Sequence, residues 1–161
     1  MEITGQIFQD ALFAAIAAIG FAAISRPPRS AYLYCALIAA AGHSLRFILT
    51  NTLPFVNILP ASLTAAFTIG VLAVLVSAKA KFPAETCLFP ALLPMIPGIY
   101  AYRTFGGLAL CVLAQSQADF SKYLTLFAYN GIMCSGILLC LVLGATLPIF
   151  IFKKISFQAT R

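Results

Sequence analysis

Charge is nearly absent from the interior of this chain and collects at a few seams. Between the seams run five apolar stretches, at about residues 7–24, 31–49, 55–77, 86–114 and 123–152. A hydrocarbon core roughly 30 Å thick takes about 20 apolar residues of helix. Charged residues make up 9% of the chain, against about 25% in a soluble domain. Hydrophobic residues make up 62% and the mean hydropathy is +1.01. These values predict an all-α integral membrane protein with about five transmembrane helices. Residues 1–161 are expected to form a single transmembrane domain with short loops.

The basic residues flank apolar stretches singly or in pairs, which is how membrane helices are anchored and oriented. The net charge of +6 therefore points to a lipid bilayer and not to nucleic acid. With five spans and the N-terminus outside, Arg26, Arg29, Lys79, Lys81, Lys153, Lys154 and Arg161 fall on the inner side, seven in all. Arg46, Arg103 and Lys122 are left for the outer side and the membrane. The positive-inside rule favours this orientation, with the C-terminus cytoplasmic. Only Glu2 and Asp10 carry charge ahead of or within the first apolar stretch, so it lacks the basic flank of a signal peptide and is expected to be retained.

Composition also argues against an enzyme. Group transfer and hydrolysis need a nucleophile with a base, paired carboxylates or metal ligands. The four carboxylates, Glu2, Asp10, Glu85 and Asp119, are read as lying at or near segment ends. One histidine cannot build a metal site. Cys35, Cys87, Cys111, Cys134 and Cys140 form no CxxC pair and read as small apolar residues. No catalytic residue, metal or cofactor is expected.

The fourth stretch is too long for a simple span. Its 29 residues would reach ~43 Å as straight helix. Within it, Pro90, Pro94, Pro97, Gly98, Gly106 and Gly107 accompany Tyr100, Tyr102 and Arg103. Proline lacks the N–H and its ring clashes with the carbonyl four residues back. The helix is expected to break at Pro97–Gly98 into halves at about residues 88–96 and 99–114. In hydrocarbon, broken backbone persists only when buried in protein or lining a wet cavity. Many transporters bind substrate at such discontinuous helices, where half-helix N–H groups face an anionic group. Arg103 lies one turn into the second half, with Tyr100 and Tyr102 beside it, and a carboxylate is the natural ligand. The alternative is a simple proline kink with Arg103 on a carbonyl or a partner subunit.

The other spans add less. In the second, His43 and Arg46 are three apart and share a face. Arg46 is close enough to the span end to snorkel instead. Ala14, Ala18 and Ala22, and again Gly136, Cys140 and Gly144, recur at four-residue spacing, which lets helices approach closely. Thr64 and Thr68 are expected to bond back to their own helix. Asn130 is a polar residue about two turns into the fifth stretch. Residues 51–54 read as a turn and 115–122 as a polar loop.

The run Pro94-Met95-Ile96-Pro97-Gly98-Ile99-Tyr100-Ala101-Tyr102, with Gly42-His43-Ser44-Leu45-Arg46 upstream, resembles the threonine/serine exporter family. The likeness is to its small, YjjB-like subunit and extends over nearly the whole chain. The resemblance covers Gly42, His43, Arg46, Pro94, Pro97, Gly98, Ala101, Tyr102 and Asn130. Arg103 departs from it. It implies an exporter of small amino acids or dicarboxylates such as succinate in the bacterial inner membrane, acting with a larger partner subunit. Together with the broken-helix reading, it makes Pro94, Pro97, Gly98, Tyr100, Tyr102, Arg103, His43, Arg46 and Asn130 the expected substrate-binding residues. The competing reading is a non-transporting scaffold whose broken helix only docks a partner.

Overall fold

Paired prolines and polar seams cut the apolar chain into helices. The computed structural model describes residues 2–52 and 56–152. Its helices are α1 (Glu2–Ser25), α2 (Ala31–Thr52), α3 (Ile58–Ala80), α4 (Glu85–Leu92), α5 (Gly98–Leu113) and α6 (Gln117–Ile151). A short 3₁₀ segment, Leu93–Met95, extends α4. α1, α2, α3 and α6 are each long and apolar enough to cross a membrane. α4 with its 3₁₀ extension and α5 pass the same test only as a pair, giving up to five spans with one broken. The predicted fold class is therefore the observed one.

Several boundaries differ from the expected ones. α1 starts at Glu2, not near residue 7, because the polar residues ahead of the apolar run continue the same helix. Asn51 and Thr52 belong to α2 and not to a turn; Leu53 and Pro54 lie outside the described residues. α3 runs from Ile58 to Ala80, carrying Lys79 in its last turn. Most of the expected loop at 115–122 is the first turn and a half of α6. Ser116 Oγ accepts the Asp119 N–H at 3.1 Å and lies 2.6 Å from Asp119 Oδ2. A serine oxygen accepting an N–H of the first turn is an N-cap bond that starts helices, and hydropathy alone passes over it. Lys153, Lys154 and Arg161 lie outside the described residues.

The break lies where proline chemistry puts it, although the first half ends earlier than expected. Pro94 cannot donate to the carbonyl four residues back, and the chain tightens to 3₁₀ over Leu93–Met95. Pro97 follows at φ −78°, ψ 62°. The Gly98 N–H bonds the Ile96 carbonyl at 2.8 Å, an inverse γ-turn centred on Pro97. Helical bonding resumes with the Ala101 N–H on the Pro97 carbonyl at 3.1 Å.

Two compact bodies follow: residues 1–95 with 140–161, and residues 96–139. In the first, the alanine stripe of α1 is the packing face. Ala14, Ala18 and Ala22 are buried, and α1 packs on α2. On α2, Cys35, Ile38, Ala39 and Gly42 are buried. Close approach requires glycine at Gly70, where a Cβ would stand 2.7 Å from the Ala145 carbonyl oxygen and 2.9 Å from Pro148. Thr64 and Thr68 bond back to carbonyls of their own helix, at 3.0 Å to Pro60 and 2.9 Å to Thr64. In the second body α5 meets α6 at Gly107, where a Cβ would come within 2.8 Å of the Phe127 nitrogen. Large apolar side chains such as Phe8, Phe13, Leu33, Phe105, Val112 and Phe150 remain exposed, as on a lipid-facing surface.

Candidate intramembrane site

The close approach of α1 to α2 brings two ionisable side chains together. His43 Nδ1 lies 3.1 Å from Asp10 Oδ2. Asp10 is more than two turns inside α1, so the expectation that every carboxylate lies at a segment end is wrong for this residue. The error came from starting the helix too late. An ionised carboxylate only accepts, so the imidazole places its proton on Nδ1 and keeps its lone pair on Nε2. His43 is only 7% exposed, and its Nε2 is buried without a hydrogen-bond partner among the described residues.

Arg46 lies one turn further along α2. Its Nη1 donates to the Met95 carbonyl at 3.1 Å. In a continuous helix that carbonyl would accept from residue 99, and the break removes the donor. Arg46 supplies a replacement and brings positive charge to the C-terminal end of the half-helix, where the dipole favours it. The guanidinium thus has a partner within its own chain. A second vacancy nearby is met in the same way. Pro90 has no N–H for the Thr86 carbonyl, and Cys35 Sγ donates to it at 3.6 Å. Cys35 is therefore more than a small apolar filler.

The second body presents the start of α5. The Gly98 N–H is used in the γ-turn and the Ala101 N–H in the first helical bond. Among the described residues no acceptor is bonded to the N–H of Ile99 or Tyr100. Space around Gly98 is open: a Cβ there would meet nothing within 4 Å. Tyr102 is 76% exposed, and Arg103 is exposed with no hydrogen bond or ion pair among the described residues. The alternative of Arg103 bound to a carbonyl of its own chain is absent there. Thr104 Oγ1 bonds the Tyr100 carbonyl at 2.7 Å. Asn130, on α6, is buried and donates to the Leu126 carbonyl at 2.7 Å.

The expected site residues thus fall into two groups. His43, Arg46 and Pro94 belong to the first body, where Asp10 holds His43 and the Met95 carbonyl holds Arg46. Pro97, Gly98, Tyr100, Tyr102, Arg103 and Asn130 belong to the second. Asp10 is the residue that sequence reasoning passed over. A signal was present: a lone carboxylate inside an otherwise apolar run marks a functional position by default.

A family model described as threonine/serine exporter, ThrE, matches residues 10–151. An uncharacterised protein of Haemophilus influenzae Rd is 34% identical over 151 residues, which are 92% of this chain and 48% of that protein. The chain thus spans about half the length of this curated relative. No solved structure matches.

Proposed function

The chain belongs to the threonine/serine exporter family, and from that premise we propose that it forms part of a membrane machine exporting small amino acids or dicarboxylates such as succinate. One observation carries this reading beyond the family. Polar groups from two spans, Asp10 and His43 as a pair and Arg46 on the Met95 carbonyl, converge on the first half of the broken span. Intramembrane charge is costly and is held where a pathway needs it. A scaffold has no use for this arrangement.

The proposed substrate contacts are the expected site residues of each group, and Asp10, which holds the His43 ring, is not among them. At the start of α5, the free N–H groups of Ile99 and Tyr100 suit a carboxylate, and Arg103, Tyr100 and Tyr102 stand on the same helix to receive it. His43, Arg46 and Pro94 in the first body, and Asn130 in the second, are the other proposed contacts. A larger subunit is proposed as partner, since the Haemophilus relative carries about as many residues again beyond the matched stretch. The location is the bacterial inner membrane, with the N-terminus outside and the C-terminus cytoplasmic, as the distribution of lysine and arginine favours. A reporter fused after Lys154 should read cytoplasmic; a periplasmic signal would reverse the orientation.

The exposed Tyr102 and Arg103 favour one competing reading, a docking subunit that moves nothing itself. Efflux of labelled serine, threonine and succinate from loaded cells separates the two. Co-expression with a larger subunit of the family should give efflux, while either chain alone gives little. Stable assembly of the two chains without efflux of any of the three would leave the docking reading standing and overturn export.

A further inference from the structure

We propose that the Asp10–His43 pair is the proton-coupling site of the transporter, with His43 Nε2 as the atom that takes and gives up the proton. The inference rests on the export reading for its purpose but not for its chemistry. It starts from a buried imidazole whose two nitrogens are treated differently. Nδ1 is held at 3.1 Å by a carboxylate that can only accept. Nε2, with its lone pair, is buried and bonded to nothing among the described residues. A purely structural histidine in hydrocarbon would be expected to satisfy both nitrogens, because an unpaired buried polar atom is costly. The atom left open is the basic one.

The surroundings suit a group that changes charge. Protonation at Nε2 converts a carboxylate beside neutral imidazole into a carboxylate–imidazolium pair. One N–H bond forms, none breaks, and the proton is the only species exchanged. Asp10 compensates the new charge, and its side chain is 33% exposed, so the pair is not sealed off. The other charged neighbour is Arg46, one turn further along α2 and bonded to the Met95 carbonyl. From the 3₁₀ segment the Met95 carbonyl reaches Arg46. On α3 the charged residue is Lys79 in the last turn, and on α4 it is Glu85 in the first; both are at helix ends. Cys35 and Cys87 lie toward the Ala31 end of α2, Cys35 two turns from His43. Among the described residues no second carboxylate is bonded to the pair.

The pair also lies near the break, since Arg46, one turn from His43 on α2, holds the Met95 carbonyl. A proton arriving at Nε2 changes the charge next to the carbonyl end of the first half-helix. In the export direction, one proton enters from the outer side and leaves to the inner side as substrate moves out.

His43 is the single histidine of the chain, so ¹⁵N-histidine labelling reports it without mutation. The full chain in liposomes, lowered from about pH 8 to about pH 4, is examined by solid-state nitrogen NMR. Nε2 should pass from unprotonated to protonated while Nδ1 stays protonated throughout. A lone pair resident on Nδ1, or an Nε2 that never takes a proton, overturns the proposal whatever the protein transports. The second arm uses the chain co-assembled with its larger subunit. Asp10→Asn keeps the acceptor for Nδ1 but removes the compensating charge. Proton-gradient-driven serine efflux should fall at least tenfold, while serine–serine exchange at equal pH stays within about twofold of wild type. Asp10→Glu should restore part of the driven efflux. Driven efflux and exchange falling together, or driven efflux surviving in Asp10→Asn, overturns coupling and leaves the export reading intact. Wild-type protein giving neither flux overturns the export reading instead, and the NMR arm still decides whether the pair binds a proton.

Discussion

The two sides of the broken span are finished in opposite ways. On the α4 side the vacancies are carbonyls, and α2 answers them: Cys35 bonds Thr86 and Arg46 bonds Met95. On the α5 side the vacancies are N–H groups. The γ-turn consumes that of Gly98, and those of Ile99 and Tyr100 stay open among the described residues. Every helix end leaves such orphan groups, which side chains, water or ligands must satisfy. A protein that needed only a kink would be expected to fill both sets. Open donors and the positive end of the helix dipole attract negative charge, which is what the proposed carboxylate contact at the start of α5 would use.

The most direct way to break this comparison is to abolish the vacancies. In Pro97→Ala/Gly98→Ala, alanine restores an N–H at residue 97 and favours continuous helix. Proline costs about 3 kcal/mol and glycine about 1 kcal/mol relative to alanine in a helix interior. The Ile99 and Tyr100 donors would then find partners in the preceding turn. The variant should insert and assemble normally, yet efflux from loaded cells should fall at least tenfold. Wild-type efflux at normal membrane abundance would show that the open donors are not the site.

The next change attacks the filled side. Arg46→Ala leaves the Met95 carbonyl without its donor at 3.1 Å. Hydrogen bonds to charged groups contribute about 1.5–3 kcal/mol, and a loss of that size is expected in reversible unfolding in mixed micelles. Arg46→Lys should recover part of it, since lysine brings charge without the planar fork. An unchanged unfolding free energy in Arg46→Ala would mean that the carbonyl has another way to be satisfied. The filled and unfilled sides would then no longer be distinct.

How far the sequence could be read differs along the same lines. Span number, the break at Pro97–Gly98 and the packing face of Ala14, Ala18 and Ala22 follow from local rules: apolar length, proline chemistry and small-residue spacing. Residues 117–122 of the expected 115–122 loop are helix instead, because hydropathy registers polarity and not the Ser116–Asp119 N-cap bond that starts α6. Thr86 and Met95 show a different kind of gap. Pro90 and the break announce that those carbonyls lose their donors, but only the packing of α2 decides that Cys35 and Arg46 replace them. The Asp10–His43 pair likewise needs the rotation of α1 against α2, which an alanine stripe permits without fixing. Pairings between helices are the part that composition and periodicity do not encode.

Cys35 allows the smallest and sharpest test of the filled side. Its thiol is a weak donor, and at 3.6 Å from the Thr86 oxygen it sits within sulfur's reach only. Cys35→Ala removes the donor and little volume from a fully buried position. The expected loss is at or below about 1 kcal/mol in the same unfolding measurement, the size of a weak neutral hydrogen bond. Cys35→Ser brings a stronger donor on a shorter bond, so its oxygen falls short unless α2 moves toward α4. Serine should therefore not exceed wild-type stability, and its efflux should match that of Cys35→Ala. If Cys35→Ala cost as much as Arg46→Ala, the ranking by donor strength would fail. The Thr86 carbonyl, and not that of Met95, would then be the vacancy on which the first half of the broken span depends.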